Sequence, residues 1–474
     1  MLKKNESHFK DFTCLNEWLC YLETIHSTEI DLGLSRINQV AKRLAIDFSF
    51  ARVITVAGTN GKGTTCAFLE NALLGENISY QSNSNLEEQS RPQTVAVYSS
   101  PHITKFNERL RINKIDIDDQ SLINAFEKIE IVRGEISLSY YEYTTLAAFL
   151  VLMIVKPDVI ILEVGLGGRL DATNIIDADV AVITTVDIDH QVFLGNDRET
   201  IGFEKAGIMR ANQHIIIGDP NPPQSVLNYA QKINETLVHK DCVNACNKIK
   251  VRNKDFFIAD NNIINNVTSD KIEQYWYFKS INIDENNKET EFLLKNLITT
   301  HIPQDNVVTA LMVLIELGVK LTSSKINALI SLTQVAGRTE LFKLSTFKSD
   351  IMLDVGHNPH AGRYLAKKLA QFKTKHEYKK IIAVVAMLSD KDIGNTFAPF
   401  SDVIDDWYIA PLTVPRAAST EQMKKELNHF THSINCFDNI TQAFKMASVE
   451  AESSDLILVF GSFFTVAEIR PFLI

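Results

Sequence analysis

Seven consecutive residues carry the most explicit chemistry in this chain: Gly58, Thr59, Asn60, Gly61, Lys62, Gly63 and Thr64. They close the apolar run RVITVAG (52–58) and lead into TTCAFLENALL (64–74), a helix-like segment. A strand, a glycine-rich turn and a helix start together make an anion site. Backbone N–H groups point outward there, and the helix N-terminus adds partial positive charge. The three glycines admit a close approach that side chains would block. Lys62 can lie along phosphate groups, and the hydroxyl of Thr64 or Thr65 can reach a magnesium ion. The order G-T-N-G-K-G-T carries an extra glycine after the lysine of the common phosphate loop. A structural turn with an incidental lysine is the competing reading, and the strand before and helix after speak against it.

Three further stretches narrow the chemistry. YSSPHITKFNERLRIN (98–113) sets Ser100 and His102 beside a proline turn, followed by a cluster of charges. ILEVGLGGRLDATN (161–174) ends an apolar run on Glu163 and continues through glycines to Arg169 and Asp171. TVDIDHQVFLG (185–195) ends another on Asp189 and His190. In a parallel sheet such strand ends face the glycine turn. Ser100, Glu163 and His190 then form a mixed set for a magnesium ion, which prefers oxygen ligands and keeps several waters. Singly, each residue reads as hydrogen-bonded structure. Jointly, beside a phosphate loop, they read as a metal site.

The elements that must position these groups are legible as alternating patterns. RVITVAG (52–58), DVIILEVG (158–165), VAVITTVD (180–187) and HIIIG (214–218) are short, rich in Val and Ile, and bounded by Gly or acidic residues, as buried parallel strands are. Helix candidates such as YTTLAAFLVLMIV (143–155) lie between them, and the alternation predicts an α/β sheet. A second α/β set begins near residue 337 with DIMLDVG (350–356), a helix through 361–372, KIIAVVAML (380–388) and DLILVFGS (455–462). The boundary is expected at 334–337, giving domains 1–334 and 335–474. Residues 219–300 are rich in Asn and Lys (DNNIINN, DENNKE) and read as short strands and loops at the surface. The tract QSNSNLEEQSRPQ (81–93) reads as an exposed loop.

Bulk properties exclude several classes. The 474 residues suit two domains, and 45% apolar with 22% charged residues is ordinary for a soluble protein. A net charge of −10 argues against broad nucleic-acid or acidic-membrane binding, so positive charge for an anionic ligand must be local. Cys14, Cys20, Cys66, Cys242, Cys246 and Cys436 show no paired CxxC and read as free thiols of a reducing compartment. The polar start MLKKNESHFKDF lacks a signal-peptide core, and no apolar run approaches the ~20 residues of a membrane helix. The expected location is the cytoplasm.

With these motifs together, the chain resembles the bifunctional dihydrofolate synthase/folylpolyglutamate synthase family, a branch of the Mur ligase superfamily. The resemblance runs from IHSTEIDLGLSRI (25–37) through the stretches above to DRETIGFEKAGIMR (197–210), PQDNVVTAL (303–311) and GRTEL (337–341). It continues in LDVGHNPHAG (353–362), LSDKDI (388–393), DDWYIAPLTVPRAAS (405–419) and GSFFTVAEI (461–469). It implies a Mur-ligase-like fold: an N-terminal P-loop ATPase-type domain and a smaller C-terminal Rossmann-like domain. It also implies a reaction in which ATP converts a carboxylate to an acyl phosphate and the amino group of L-glutamate displaces the phosphate. The acceptors it implies are dihydropteroate and reduced folates. The implied cofactors are ATP, two magnesium ions and, as an option, K+.

Residue by residue, the resemblance gives Ser100, Glu163 and His190 to magnesium. It implies carbamylation of Lys205, a reaction that needs a neutral amine. Asn306 matches a position near adenine, and Arg338, Asp354 and His357 match contacts to phosphate and ribose. The dihydropteroate site matches Thr24, Ile25, His26 and Ser27, then Ser139, Tyr140, Tyr141 and Glu142, and finally Arg169, Leu170 and Asp171. An aromatic pair beside a carboxylate suits a flat, hydrogen-bonding pterin ring. Departures from the family pattern fall in DHQVFLG, DVGHNP and GSFFTV, and none removes a proposed ligand. A monomer is expected, since one chain supplies every part of the site.

Two other functions compete. A cell-wall amino-acid ligase acting on a nucleotide-linked muramoyl substrate is opposed by IHSTEIDLGL and the SSPH turn. A P-loop switch or motor protein is distinguished by its products: a ligase releases ADP only when glutamate and acceptor are both present.

Overall fold

The sheets of the protein set the tips of four strands around one hollow. A computed structural model describes residues 12–28, 30–75, 93–238, 249–252, 256–260, 275–283 and 289–474. The larger sheet contains β1 (Arg52–Ala57), β2 (Val95–Tyr98), β3 (Leu110–Ile112), β4 (Ile115–Asp116), β5 (Val159–Glu163), β6 (Val180–Ile183), β7 (His214–Ile217) and β8 (Ile249–Val251). Its order is β4-β3-β2-β5-β1-β6-β7-β8, parallel from β2 to β8 and antiparallel at β3 and β4. In register, Val56 of β1 lies opposite Glu163 of β5 and Val182 of β6. The turns after β1, β2, β5 and β6 therefore leave the sheet along one edge.

The apolar runs are continuous because both faces are covered. Ile54, Val56 and Ile161 pack with Phe68 and Leu69 of helix Lys62–Leu73 and with Val307 and Leu311 of helix Gln304–Glu316. Val53, Ile160 and Leu162 face Phe149 and Leu146 of helix Tyr140–Val155 on the other side. That helix starts where sequence says it should. Ser139 accepts from the Glu142 N–H and Glu142 accepts from the Ser139 N–H, a reciprocal capping box.

The second parallel unit contains β12 (Glu340–Phe342), β13 (Asp350–Asp354), β14 (Ile381–Val385), β15 (Asp406–Ile409), β16 (Ile434–Cys436) and β17 (Leu456–Phe460) in the order β12-β13-β17-β14-β15-β16. All its pairs are parallel except β12 with β13. Helix Pro359–Lys375 follows β13, capped by the Asn358 side chain on the Ala361 N–H, with a proline in its first turn.

Residues 219–300 depart from expectation. They contain helix Gln224–Val238 and a three-stranded antiparallel sheet of β9 (Phe256–Asp260), β10 (Tyr275–Ile283) and β11 (Glu289–Ile298). Trp276, Phe278, Leu294 and Leu297 are buried against helix Gln304–Glu316, so this is core and not surface. The period-2 pattern of Trp276, Phe278 and Ser280 carries the strand signal, and the neighbouring Asn and Lys hide it in composition. The two Asn-rich tracts run over 260–266 and 284–289 and, apart from their end residues Asp260 and Glu289, lie outside the described residues, as do 76–92 and Cys242 and Cys246. Cys14, Cys20, Cys66 and Cys436 are free thiols. Among the described residues no helix is long and apolar enough to cross a membrane.

Candidate active site

A single cavity receives the phosphate-loop candidate and the strand-tip residues. Gly58, Thr59, Asn60, Gly61, Lys62, Gly63 and Thr64 all line it. Gly61 is the N-cap of helix Lys62–Leu73, with φ +87 and no side-chain cap. The first-turn N–H groups are therefore left for a ligand in the cavity. A Cβ at Gly61 would stand 2.3 Å from Asn306 Oδ1, so the loop lies directly against helix Gln304–Glu316. The tip of β6 holds the loop in place: the Thr59 N–H donates to Thr185 O at 2.7 Å, and Thr184 Oγ1 donates to Asn60 O at 2.6 Å. Lys62 Nζ curls over the loop to Gly58 O at 3.0 Å. Of the two candidate hydroxyls, Thr64 lines the cavity, whereas the hydroxyl of the wholly buried Thr65 has no hydrogen-bond partner among the described residues.

Ser100, Glu163 and His190 line the same cavity. The Glu163 carboxylate lies 3.7 Å from where a Cβ of Gly63 would stand. Burial raises its pKa, opposed by the charges of Lys62, Arg338 and Arg111. Among the described residues none donates a hydrogen bond to it. A buried carboxylate without a donor fits a cation partner. His190 sits in the left-handed region at φ 50, and burial pushes its pKa down to about 4, which keeps its imidazole neutral and ligand-competent. Among the described residues, a different group brings metal-ligand types together: Asp189, His190 and His357, whose ligand atoms lie within 4.8 Å of one another.

Lys205 is not a surface lysine. It is 3% exposed on helix Arg198–Ala206 and lines the cavity. Burial first and the Lys62 charge second bring its pKa down to about 7, with Asp189 and Asp171 opposing. The neighbouring Glu204 pairs instead with Arg169, at 2.8 and 3.1 Å.

The second parallel unit closes the far wall. Arg338, Asp354 and His357 line the cavity from this side, and Asn306 lines it from helix Gln304–Glu316 of the first unit. The Arg338 guanidinium stacks on Phe463 at 5.1 Å, and burial lowers its pKa while Asp354 and Glu163 oppose. Asp354 accepts from the N–H groups of Thr339 and Gly356 at 2.8 and 2.7 Å, so part of its role is to shape its own turn.

The residues matched to dihydropteroate do not line this cavity. Thr24 and Ser27 are exposed, and Ile25, Tyr140 and Leu170 are half-buried. His26 joins Ser137 Oγ at 2.7 Å and Asp31 at 3.1 Å. Asp31 pairs with Arg36 at 2.8 Å, and Arg36 reaches Glu142 at 3.3 Å. Segment 24–27 is thereby tied to the start of helix Tyr140–Val155. Ser139 and Glu142 are engaged in capping that helix. Tyr141 is the link to the cavity: a Cβ at Gly165 would meet the Tyr141 hydroxyl at 2.7 Å and Ser100 Oγ at 3.2 Å, so only glycine fits there. The Tyr141 hydroxyl also lies 3.5 Å from Asp171 Oδ1.

Several residues escaped sequence reasoning. Lys391 meets Asp189 at 2.7 Å, and Asn358 and His360 meet Asn60 at 3.2 and 3.0 Å. Their stretches, LSDKDI and GHNPHAG, were visible in the sequence. A lysine or asparagine in a loop carries no signal of a partner 202 or 298 residues earlier.

A family model described as "Mur ligase, glutamate ligase domain" matches residues 337–463. The dihydrofolate synthase/folylpolyglutamate synthase of Escherichia coli is 38% identical over 455 residues, covering 96% of this chain and 94% of its own. A structure of E. coli FolC in complex with DHPP and ADP superposes with a TM-score of 0.80 at 37% identity and 97% coverage of both chains. The bifunctional folylpolyglutamate synthase/dihydrofolate synthase of Yersinia pestis, complexed with AMPPNP and Mn ion, gives a TM-score of 0.79 at 38% identity, covering 97% of this chain and 98% of that one. With a glycine loop, strand-tip side chains and a second α/β unit meeting at one cavity, and with this likeness over nearly its full length, the chain belongs to the dihydrofolate synthase/folylpolyglutamate synthase family of Mur ligases.

Proposed function

We propose that this protein is an ATP-dependent amide ligase that joins L-glutamate to dihydropteroate and adds further glutamates to reduced folates. The observation that carries the reading is the convergence of the loop 58–64 with Ser100, Glu163, His190, Lys205 and Arg338 on one cavity. Phosphoryl transfer asks for alignment and charge neutralisation more than for covalent help. The loop N–H groups and Lys62 hold the β- and γ-phosphates. Arg338 approaches the transferring group from the second unit, and Asn306 borders the adenine. Ser100, Glu163 and His190 would hold magnesium, and Lys205, as a carbamate, would support a second ion. When bound, such ions neutralise the two anions that must meet, the acceptor carboxylate and the γ-phosphate. The acceptor carboxyl oxygen attacks the γ-phosphorus and ADP leaves. The neutral amine of glutamate then attacks the acyl carbon, and phosphate and a proton depart as the amide forms.

The pterin ring is assigned to the surface between segment 24–27, Tyr140, Tyr141, Arg169, Leu170 and Asp171, with Ser139 and Glu142 fixing the helix that presents it. The division into domains 1–334 and 335–474, the monomeric state, the cytoplasmic location and the K+ option belong to the same proposal. A phosphate-release assay with ATP, Mg2+, L-glutamate and either dihydropteroate or a reduced folate tests it. Release is expected with each acceptor. Equal release without an acceptor refutes the ligase reading, and release with the folate alone removes the first activity.

A further inference from the structure

Asp189 follows β6 and directly precedes His190, and its side chain is 8% exposed. Its Oδ1 accepts from Lys391 Nζ at 2.7 Å and from the His190 N–H at 2.8 Å. Its Oδ2 accepts from Asn358 Nδ2 at 2.9 Å and lies 3.3 Å from His357 Nε2. Lys391, Asn358 and His357 all come from the turns after β13 and β14, on the other parallel unit. The Lys391 side chain is 7% exposed, so water screens this ion pair little. Asn60 extends the seam from the phosphate loop, donating to Asn358 Oδ1 at 3.2 Å.

The same carboxylate belongs to the cluster Asp189, His190 and His357, whose spacing would admit a metal ion. Both of its oxygens are already taken, one by an ammonium group. A divalent cation at that point would meet the Lys391 charge at close range. The geometry favours a hydrogen-bonded seam over a metal centre.

We infer that Asp189 is a positioning residue that clamps the 353–362 and 388–393 segments to the tip of β6. The clamp sets His357 and the start of helix Pro359–Lys375 opposite the phosphate loop, and so fixes the far wall of the cavity where the second substrate must be held. It rests on the ligase reading for its effect on turnover, not for its existence. One residue thus ties the β6 turn that carries His190 to the wall that carries His357.

The test uses Asp189→Asn, Lys391→Met and the double variant of the full chain. Steady-state kinetics are measured with ATP, Mg2+, L-glutamate and dihydropteroate, together with binding of a non-hydrolysable ATP analogue with Mg2+ and thermal unfolding. Each single substitution is expected to lower kcat/KM for glutamate about 10- to 100-fold, and the double to be no worse than the poorer single, as for residues in one network. Binding of the analogue is expected to weaken to a similar extent in all three variants, because the clamp also sets His357, which is matched to the nucleotide, and contacts the His190 N–H. Multiplying losses in the double variant overturn the clamp. Loss of magnesium-dependent analogue binding in Asp189→Asn alone overturns it too, and makes Asp189 a metal ligand. Should Asp189→Asn fail to fold, Lys391→Met on the opposite unit gives the same readouts, and unchanged glutamate kinetics there refute the proposal. Should the wild type show no ligase activity, coupling of the two substitutions in thermal unfolding still decides the clamp, and additive shifts reject it.

Discussion

Lys205 offers the most demanding quantitative test of the site. Burial and the nearby Lys62 charge lower its pKa from 10.5 to about 7. At pH 7 about half of its amines are then neutral, against roughly 3 in 10⁴ for an ordinary lysine, a gain on the order of 10³-fold in the form that reacts with CO2. Carbamylation converts the buried cation into an anion beside the cavity, so it also removes the repulsion from Lys62. Raising the pH through 7 at constant dissolved CO2 should increase occupancy. The linkage has a definite sign. The folded-state pKa is depressed, so between about 7 and 10.5 the unfolded chain binds more protons and unmodified protein gains stability as pH rises. Below 7 the penalty of the buried charge is fully present. Lys205→Arg keeps a cation that cannot become neutral, and turnover should fall by about 10²-fold or more, the scale of one lost electrostatic partner. Protein equilibrated with ¹³C-bicarbonate should give a carbamate carbon signal in the wild type and none in Lys205→Arg. Activity of wild-type protein stripped of CO2 near pH 6 should return on adding bicarbonate. A fully active Lys205→Arg, or wild type that never takes up label, refutes this reasoning.

Three other outcomes follow from the geometry. Lys62→Ala should reduce turnover by about 10²-fold or more, measured as phosphate release, and wild-type rates would show the loop to be misassigned. Gly61→Ala forces a Cβ to within 2.3 Å of Asn306 Oδ1 at φ +87, a conformation costing about 1–2 kcal/mol for any other residue. The KM for ATP should rise at least about 10-fold, and an unchanged KM would mean that loop and helix do not grip the nucleotide together. Glu163→Gln should cut turnover about 10²-fold while leaving the melting temperature the same or a few degrees higher, because a buried unpaired carboxylate is held at a cost to the fold. A large fall in melting temperature would give Glu163 a structural role instead.

The parallel sheets were legible because their runs of Val and Ile need no partner to be recognised. β1, β5, β6 and β7 each fall inside the stretches read from sequence, and Ser100, Glu163 and His190 come to one cavity as strand-tip logic requires; Lys205, which only the family resemblance pointed to, joins them from helix Arg198–Ala206. What could not be read was contact across the chain. Lys391 and Asn358 look like loop residues until Asp189 is seen beneath them. The hairpin β10–β11 was obscured for a different reason: its alternation is carried by a few residues, and the Asn-rich flanks dominate the composition. Ser139 and Glu142 show the reverse limit. Their spacing announces a helix cap, and that announcement stands whether or not a substrate lies nearby.

The chain of contacts His26–Asp31–Arg36–Glu142 carries a lesson for anyone wishing to retarget the enzyme. Segment 24–27 and the first turn of helix Tyr140–Val155 are cross-braced, though more than a hundred positions separate them. Grafting either piece alone from a homologue with another acceptor preference would leave a buried ion without its mate. The two must be exchanged together, as one cassette.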